Sequence, residues 1–131
     1  MDLTVDTSAV LAVVLNEPTR ATLLELTRGA ELRAPGSLPW EIGNACSALF
    51  KRGRLDGDQA AAVVAVFQRI PIQLVPVEVE ESVRLAAELG LYAYDAYMLT
   101  CARRSRTPLL TLDEPLARAA HKLGLQVLEV E

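Results

Sequence analysis

The chain has 131 residues, 51% of them hydrophobic and 5% aromatic, enough apolar side chain for one packed core and too short for a second domain of ordinary size. Thirteen basic and seventeen acidic residues give a formal charge of −4, so no global basic field draws in nucleic acid and such a partner needs a local site. No apolar run approaches the ~20 residues of a membrane span, and the opening Met-Asp-Leu-Thr-Val lacks the basic region of a secretory leader, so a cytoplasmic protein is expected.

The first predicted element is a short strand at Leu3 to Val5, followed by the apolar helix Ala-Val-Leu-Ala-Val-Val-Leu from Ala9. A second strand is expected at Leu32 to Ala34. Ile42, Ala45, Cys46 and Leu49 then fall at i, i+3, i+4 and i+7, the apolar stripe of a helix, and Ala60, Val63, Val64 and Phe67 repeat the spacing. Ile72 to Val75 reads as a strand, a helix opens near Asp95, and Leu109 to Thr111 reads as another strand. Leu116, Ala119, Ala120 and Leu123 mark a last helix, with Pro115 suited to its first turn and Gly124 to its stop. Val127 to Val130 completes the series. The strands lack polar alternation, as expected when helices cover both faces, and five parallel strands in one α/β domain over residues 1–131 follow.

Ligand sites in open parallel sheets lie beyond the carboxyl ends of the strands. Asp6 ends the first strand, Asp113 follows Leu-Leu-Thr-Leu, Asp95 opens a helix, and Glu41 lies in the first turn of another. Each acid alone also fits a structural place, because unpaired N–H groups and the helix dipole favour carboxylates at helix starts. If the four converge, their repulsion must be offset, and a hard divalent cation does so most simply. An oxygen-rich set without clustered His or Cys suits Mg²⁺ or Mn²⁺ rather than zinc or copper.

Competing chemistries lack their residues. His121 is the one histidine, so a two-histidine ribonuclease is excluded and a Ser-His-Asp triad disfavoured. Neither Gly-x-Gly-x-x-Gly nor a Gly-Lys-Ser/Thr loop occurs. Cys46 and Cys101 have no second Cys or His at ligand spacing, so both read as reduced core residues.

The local words resemble the PIN-domain ribonucleases, specifically the VapC-type toxins of VapBC toxin-antitoxin pairs. They are Val-Asp-Thr-Ser-Ala-Val-Leu-Ala at 5–12, Asn-Glu-Pro at 16–18, Glu-Ile-Gly-Asn-Ala at 41–45, Lys-Arg-Gly at 51–53, Tyr-Asp-Ala-Tyr-Met-Leu-Thr-Cys-Ala at 94–102 and Pro-Leu-Leu-Thr-Leu-Asp at 108–113. The resemblance implies a three-layer α/β/α sandwich on a five-stranded parallel sheet. It implies a divalent-metal-dependent endoribonuclease that cuts RNA, forms a homodimer and is blocked by a cognate VapB-type antitoxin. It assigns Asp6, Glu41, Asp95 and Asp113 to the catalytic, metal-binding cluster. Thr7, Ser8 and Thr111 are placed to orient these acids, and Asn44 lies one helical turn beyond Glu41 on the same side.

One departure stands out. Many relatives carry a basic residue directly after the last acid, whereas Glu114 and Pro115 follow Asp113 here. Substrate charge would then be met by Arg103, Arg104 and Arg106, or by Lys51, Arg52 and Arg54, whose structural alternative is a solvated helix end. Two other roles stay open: a non-catalytic PIN-like module that binds RNA or a partner, and a housekeeping nuclease that processes RNA.

Overall fold

The computed structural model describes residues 1–130. β1 (Asp2–Val5) leads through α1 (Thr7–Val14) and α2 (Arg20–Thr27) to β2 (Glu31–Pro35). α3 (Leu38–Lys51) and α4 (Gly57–Phe67) connect to β3 (Ile72–Val75). α5 (Val79–Leu89) and α6 (Ala93–Ser105) then lead to β4 (Leu109–Leu110) and α7 (Glu114–Lys122). The four strands are parallel in the order β3-β2-β1-β4, an α/β arrangement of helices on a parallel sheet.

Both faces of β1 are covered, which explains its unbroken apolar run: Leu3, Thr4 and Val5 are all fully buried. Val5 shares a small apolar gap with Val10 and Leu23 of α1 and α2. Thr4 points to the opposite side, where its hydroxyl meets that of Thr107 at 2.6 Å and Cys101 of α6 at 3.9 Å. Both cysteines are free and buried. The three apolar stripes read from the sequence each turn inward, with Ile42, Cys46, Ala60, Phe67, Leu116, Ala119 and Ala120 in the core.

The expected fifth strand is not formed among the described residues. Val127 makes a single parallel bridge to Leu109, held by Leu109 N–H to Gln126 O at 2.8 Å and Leu128 N–H to Leu109 O at 2.9 Å. β4 is only two residues long, because the chain leaves the sheet at Thr111 to enter α7, so the final segment has almost no strand to pair with. Among the described residues the sheet is therefore four-stranded, with one bridge where a fifth strand was expected.

Chain direction across the sheet reverses beside β1. β1, β2 and β3 progress toward one edge, and β4 returns to the other side of β1. The gap beyond the carboxyl ends of β1 and β4 is thus the topological switch point, where open parallel sheets form their clefts.

Candidate metal and nuclease site

Asp6 and Asp113 leave the two strands that flank the switch point, and both serve as helix N-caps. The Asp6 carboxylate accepts from Ala9 N–H at 3.0 Å to start α1, and that of Asp113 accepts from Leu116 N–H at 3.1 Å to start α7. Glu41 lies in the first turn of α3 and Asp95 in the first turn of α6. The four acids line one cleft of about 300 Å³, together with Thr7, Ser8 and apolar side chains, and no Lys or Arg among the described residues lines it. Four helix N-termini therefore face the same space, and their dipoles partly offset the negative charge.

Hydroxyl groups hold two of the acids. Ser8 Oγ lies 2.8 and 2.9 Å from the two oxygens of Asp6, and Thr111 Oγ1 donates to Asp6 Oδ2 at 2.5 Å. The same hydroxyls accept backbone N–H groups, Ser8 from Leu112 at 2.9 Å and Thr111 from Asp113 at 3.0 Å. The ends of β1 and β4 are thereby tied through one carboxylate. Glu41 is held at both oxygens, by Thr7 Oγ1 at 3.2 Å and Ser37 Oγ at 2.8 Å. Ser37 was not singled out in the sequence. It precedes α3 as a capping residue would, yet its hydroxyl makes no cap bond and goes to Glu41 instead.

The remaining candidates fall elsewhere. Asn44 is exposed and opens onto a neighbouring cavity of about 220 Å³, which Glu41 also lines. Arg103 and Arg104 pair with acids of α5, reaching Glu81 at 3.3 and 2.8 Å, with Arg104 also 3.6 Å from Glu78. They join α6 to α5. Arg106 takes a left-handed conformation, φ 54°, at the end of α6. Arg52 lines an apolar groove that begins at Ser8.

The electrostatics are those of crowded, partly dry acids. Burial pushes the Asp6 carboxyl above its ordinary range, against the opposing effect of Thr111, Ala9 and Ser8, and Asp113 adds repulsion. Burial also raises Glu41, with Ser37 and Thr7 opposing and Asp6 and Asp95 repelling it. Asp95 is raised by burial and then by the charge of Asp113, and it accepts no hydrogen bond among the described residues. Both its oxygens are unspent.

This donor set fits a hard divalent cation: it is all oxygen, it is mutually repulsive, and one member has no protein partner. Among the described residues, no three His, Cys, Asp or Glu side chains stand close enough to enclose an ion by themselves. Mg²⁺ does not need such an enclosure, since it keeps several waters and takes one or two carboxylates directly.

Comparisons with known proteins agree with this architecture. The family model of the PIN domain matches residues 3–122. No curated protein matches the chain by sequence. Among solved structures, a protein from Pyrobaculum aerophilum is 23% identical, with a TM-score of 0.72 and coverage of 94% of this chain and 92% of that one. VapBC2 from Rickettsia felis, solved bound to a DNA fragment from its promoter, is 13% identical with a TM-score of 0.72 and full coverage of both chains. VapC20 from Mycobacterium tuberculosis, a toxin that cleaves the sarcin-ricin loop, is 16% identical with a TM-score of 0.65 and covers 89% of this chain and 94% of that one.

Proposed function

This chain belongs to the PIN domain family, and from that premise we propose that it is a divalent-metal-dependent endoribonuclease, the toxin of a toxin-antitoxin pair. The observation that carries the reading is the convergence of Asp6, Glu41, Asp95 and Asp113 on one cleft that no cation among the described residues lines. Structural neighbours that are themselves VapC-type toxins or VapBC complexes support the toxin role. A VapB-type antitoxin is accordingly the expected protein partner, a homodimer the expected assembly and the cytoplasm the expected location.

Asp6 and Asp95 are assigned as the firmest holders of Mg²⁺ or Mn²⁺, with Glu41 and Asp113 completing the site directly or through water. A bound divalent ion supplies positive charge to the oxygens of an in-line phosphodiester displacement and eases ionisation of the attacking water. The protein's own part is positioning. Ser8 and Thr111 fix the plane of the Asp6 carboxylate, Thr7 and Ser37 fix that of Glu41, and Asp95 offers two uncommitted oxygens. In the overall reaction, the oxygen of a water molecule becomes bonded to phosphorus as a phosphorus–oxygen bond to a neighbouring ribose breaks, and one proton of that water ends on the leaving ribose oxygen.

The test is cleavage of a mixed panel of structured RNAs by purified protein in Mg²⁺ and in Mn²⁺, beside EDTA and the Asp95→Asn variant. Cleavage that disappears with chelator and with the variant is expected. Full activity in EDTA or in Asp95→Asn would refute the metal-carboxylate assignment, and metal binding without any cleavage would favour the non-catalytic module.

A further inference from the structure

The chain has one tryptophan, three tyrosines and two phenylalanines, and two of these few aromatics stand exposed against the acids. Trp40 immediately precedes Glu41 and is 74% exposed, and Tyr94 immediately precedes Asp95 and is 54% exposed. They line a common cavity of about 220 Å³ with the exposed amide of Asn44. This cavity adjoins the acid cleft, since Thr7 and Glu41 line both. Tyr97 packs edge-on to Tyr94, with ring centroids 5.9 Å apart and planes at 80°, which steadies the Tyr94 ring while leaving it exposed.

No Lys or Arg among the described residues lines the acid cleft, so protein side chains give the phosphates no cationic hold there beyond what a bound metal would supply. Exposed aromatic rings beside the cleft offer a hold of another kind, on the bases, since every base has a π-face. We propose that Trp40 and Tyr94 form a stacking platform for an unpaired RNA base, with the Asn44 amide reading that base's edge. The inference rests on the ribonuclease reading above and narrows it: the substrate must offer an unstacked base beside the scissile bond, so single strands and loops qualify and continuous duplex does not.

Trp40 is the only tryptophan, so its emission reports on the platform directly. Metal-free protein in EDTA is titrated with a short single-stranded RNA, the matched duplex and an abasic strand of equal length. The single strand is expected to quench Trp40 emission, and the other two are not. By anisotropy, Trp40→Ala and Tyr94→Ala should each weaken single-strand binding by about 5- to 150-fold, while Trp40→Phe and Tyr94→Phe restore most of it. With metal present, the alanine variants should raise KM and leave kcat near its original value. Unquenched emission with RNA bound, or wild-type binding by Trp40→Ala, would overturn the platform while cleavage by the native protein leaves the ribonuclease reading intact. Emission that shifts with protein concentration alone, with Trp40→Ala converting a dimer to monomer, would also overturn it and assign the face to a second copy of the chain. Protein that neither binds nor cuts RNA would remove both readings together.

Discussion

Replacing Thr111 by Val keeps the shape of a buried side chain and deletes one hydroxyl, which makes it a clean probe of the Asp6 carboxylate. The hydroxyl donates to Asp6 Oδ2 at 2.5 Å and accepts Asp113 N–H. A hydrogen bond to a charged group contributes about 1.5–3 kcal/mol, and that much of the ionised carboxylate's stabilisation goes with the hydroxyl. Losing this donor should therefore raise the Asp6 carboxyl further above its already raised position. The sign follows from the partners: burial raises Asp6, and Thr111 is the largest influence acting the other way. Ser8 and Ala9 N–H remain, so part of the carboxylate's hydrogen bonding is kept. The assay is a carbon-detected NMR titration of the aspartate carboxyls in metal-free protein, wild type against Thr111→Val, with Thr111→Ser retaining the hydroxyl. An unchanged Asp6 titration in Thr111→Val, or an equal shift in Thr111→Ser, would refute the reasoning.

Three further outcomes are expected. Asp95→Asn should raise the melting temperature of metal-free protein at pH 7. The folded-state carboxyl is raised above its ordinary 3.8, so its ionisation opposes folding once pH rises through that range and costs nothing below it. Solvent still reaches this side chain, so the gain is a few degrees, and it should vanish by about pH 4. Mg²⁺ at about a hundred times its dissociation constant should stabilise wild type by about 2.7 kcal/mol, and Asp6→Asn should lose most of that gain in a thermal-shift titration. Leu99→Ala, at a fully buried position one turn beyond Asp95, should cost about 2–5 kcal/mol in denaturant unfolding, and a cost below 1 kcal/mol would show that this core contact is loosely packed.

Much of this architecture was legible in the sequence because its signals are local. The uninterrupted apolar run at β1 and the i, i+3, i+4, i+7 stripes of α3, α4 and α7 are set by burial of one chain segment at a time. The acids were found by the same route, through their places after strands and in first helical turns. The hydroxyls of Ser8 and Thr111, read as placed to orient the acids, do reach Asp6. What escaped depends on rotamers and on partners distant in the chain: the pairing of Ser37 with Glu41 depends on a rotamer, since a serine before a helix ordinarily caps it. α5 gave no clear signal because its buried face includes Ser82, whose hydroxyl bonds Glu78 O at 2.9 Å and Thr100 at 3.0 Å. The final strand was overread because β-like composition at Val127 to Val130 says nothing of how short its neighbour would be. The pairing of the α6 arginines with acids of α5 showed only once α5 was placed beside them.

The four acids belong to segments that begin at residue 6 and end at residue 113, each aimed by the start of a different helix. No fragment of the chain short of its last helix can assemble them. During synthesis, the first three would emerge from the ribosome without β4 and the turn after it that carries Thr111 and Asp113, and β1 would lack the neighbour that completes the cleft. A nascent chain that stops short of Asp113 thus lacks part of the acid set, and whatever the cleft does begins only once the segment through α7 has emerged and folded.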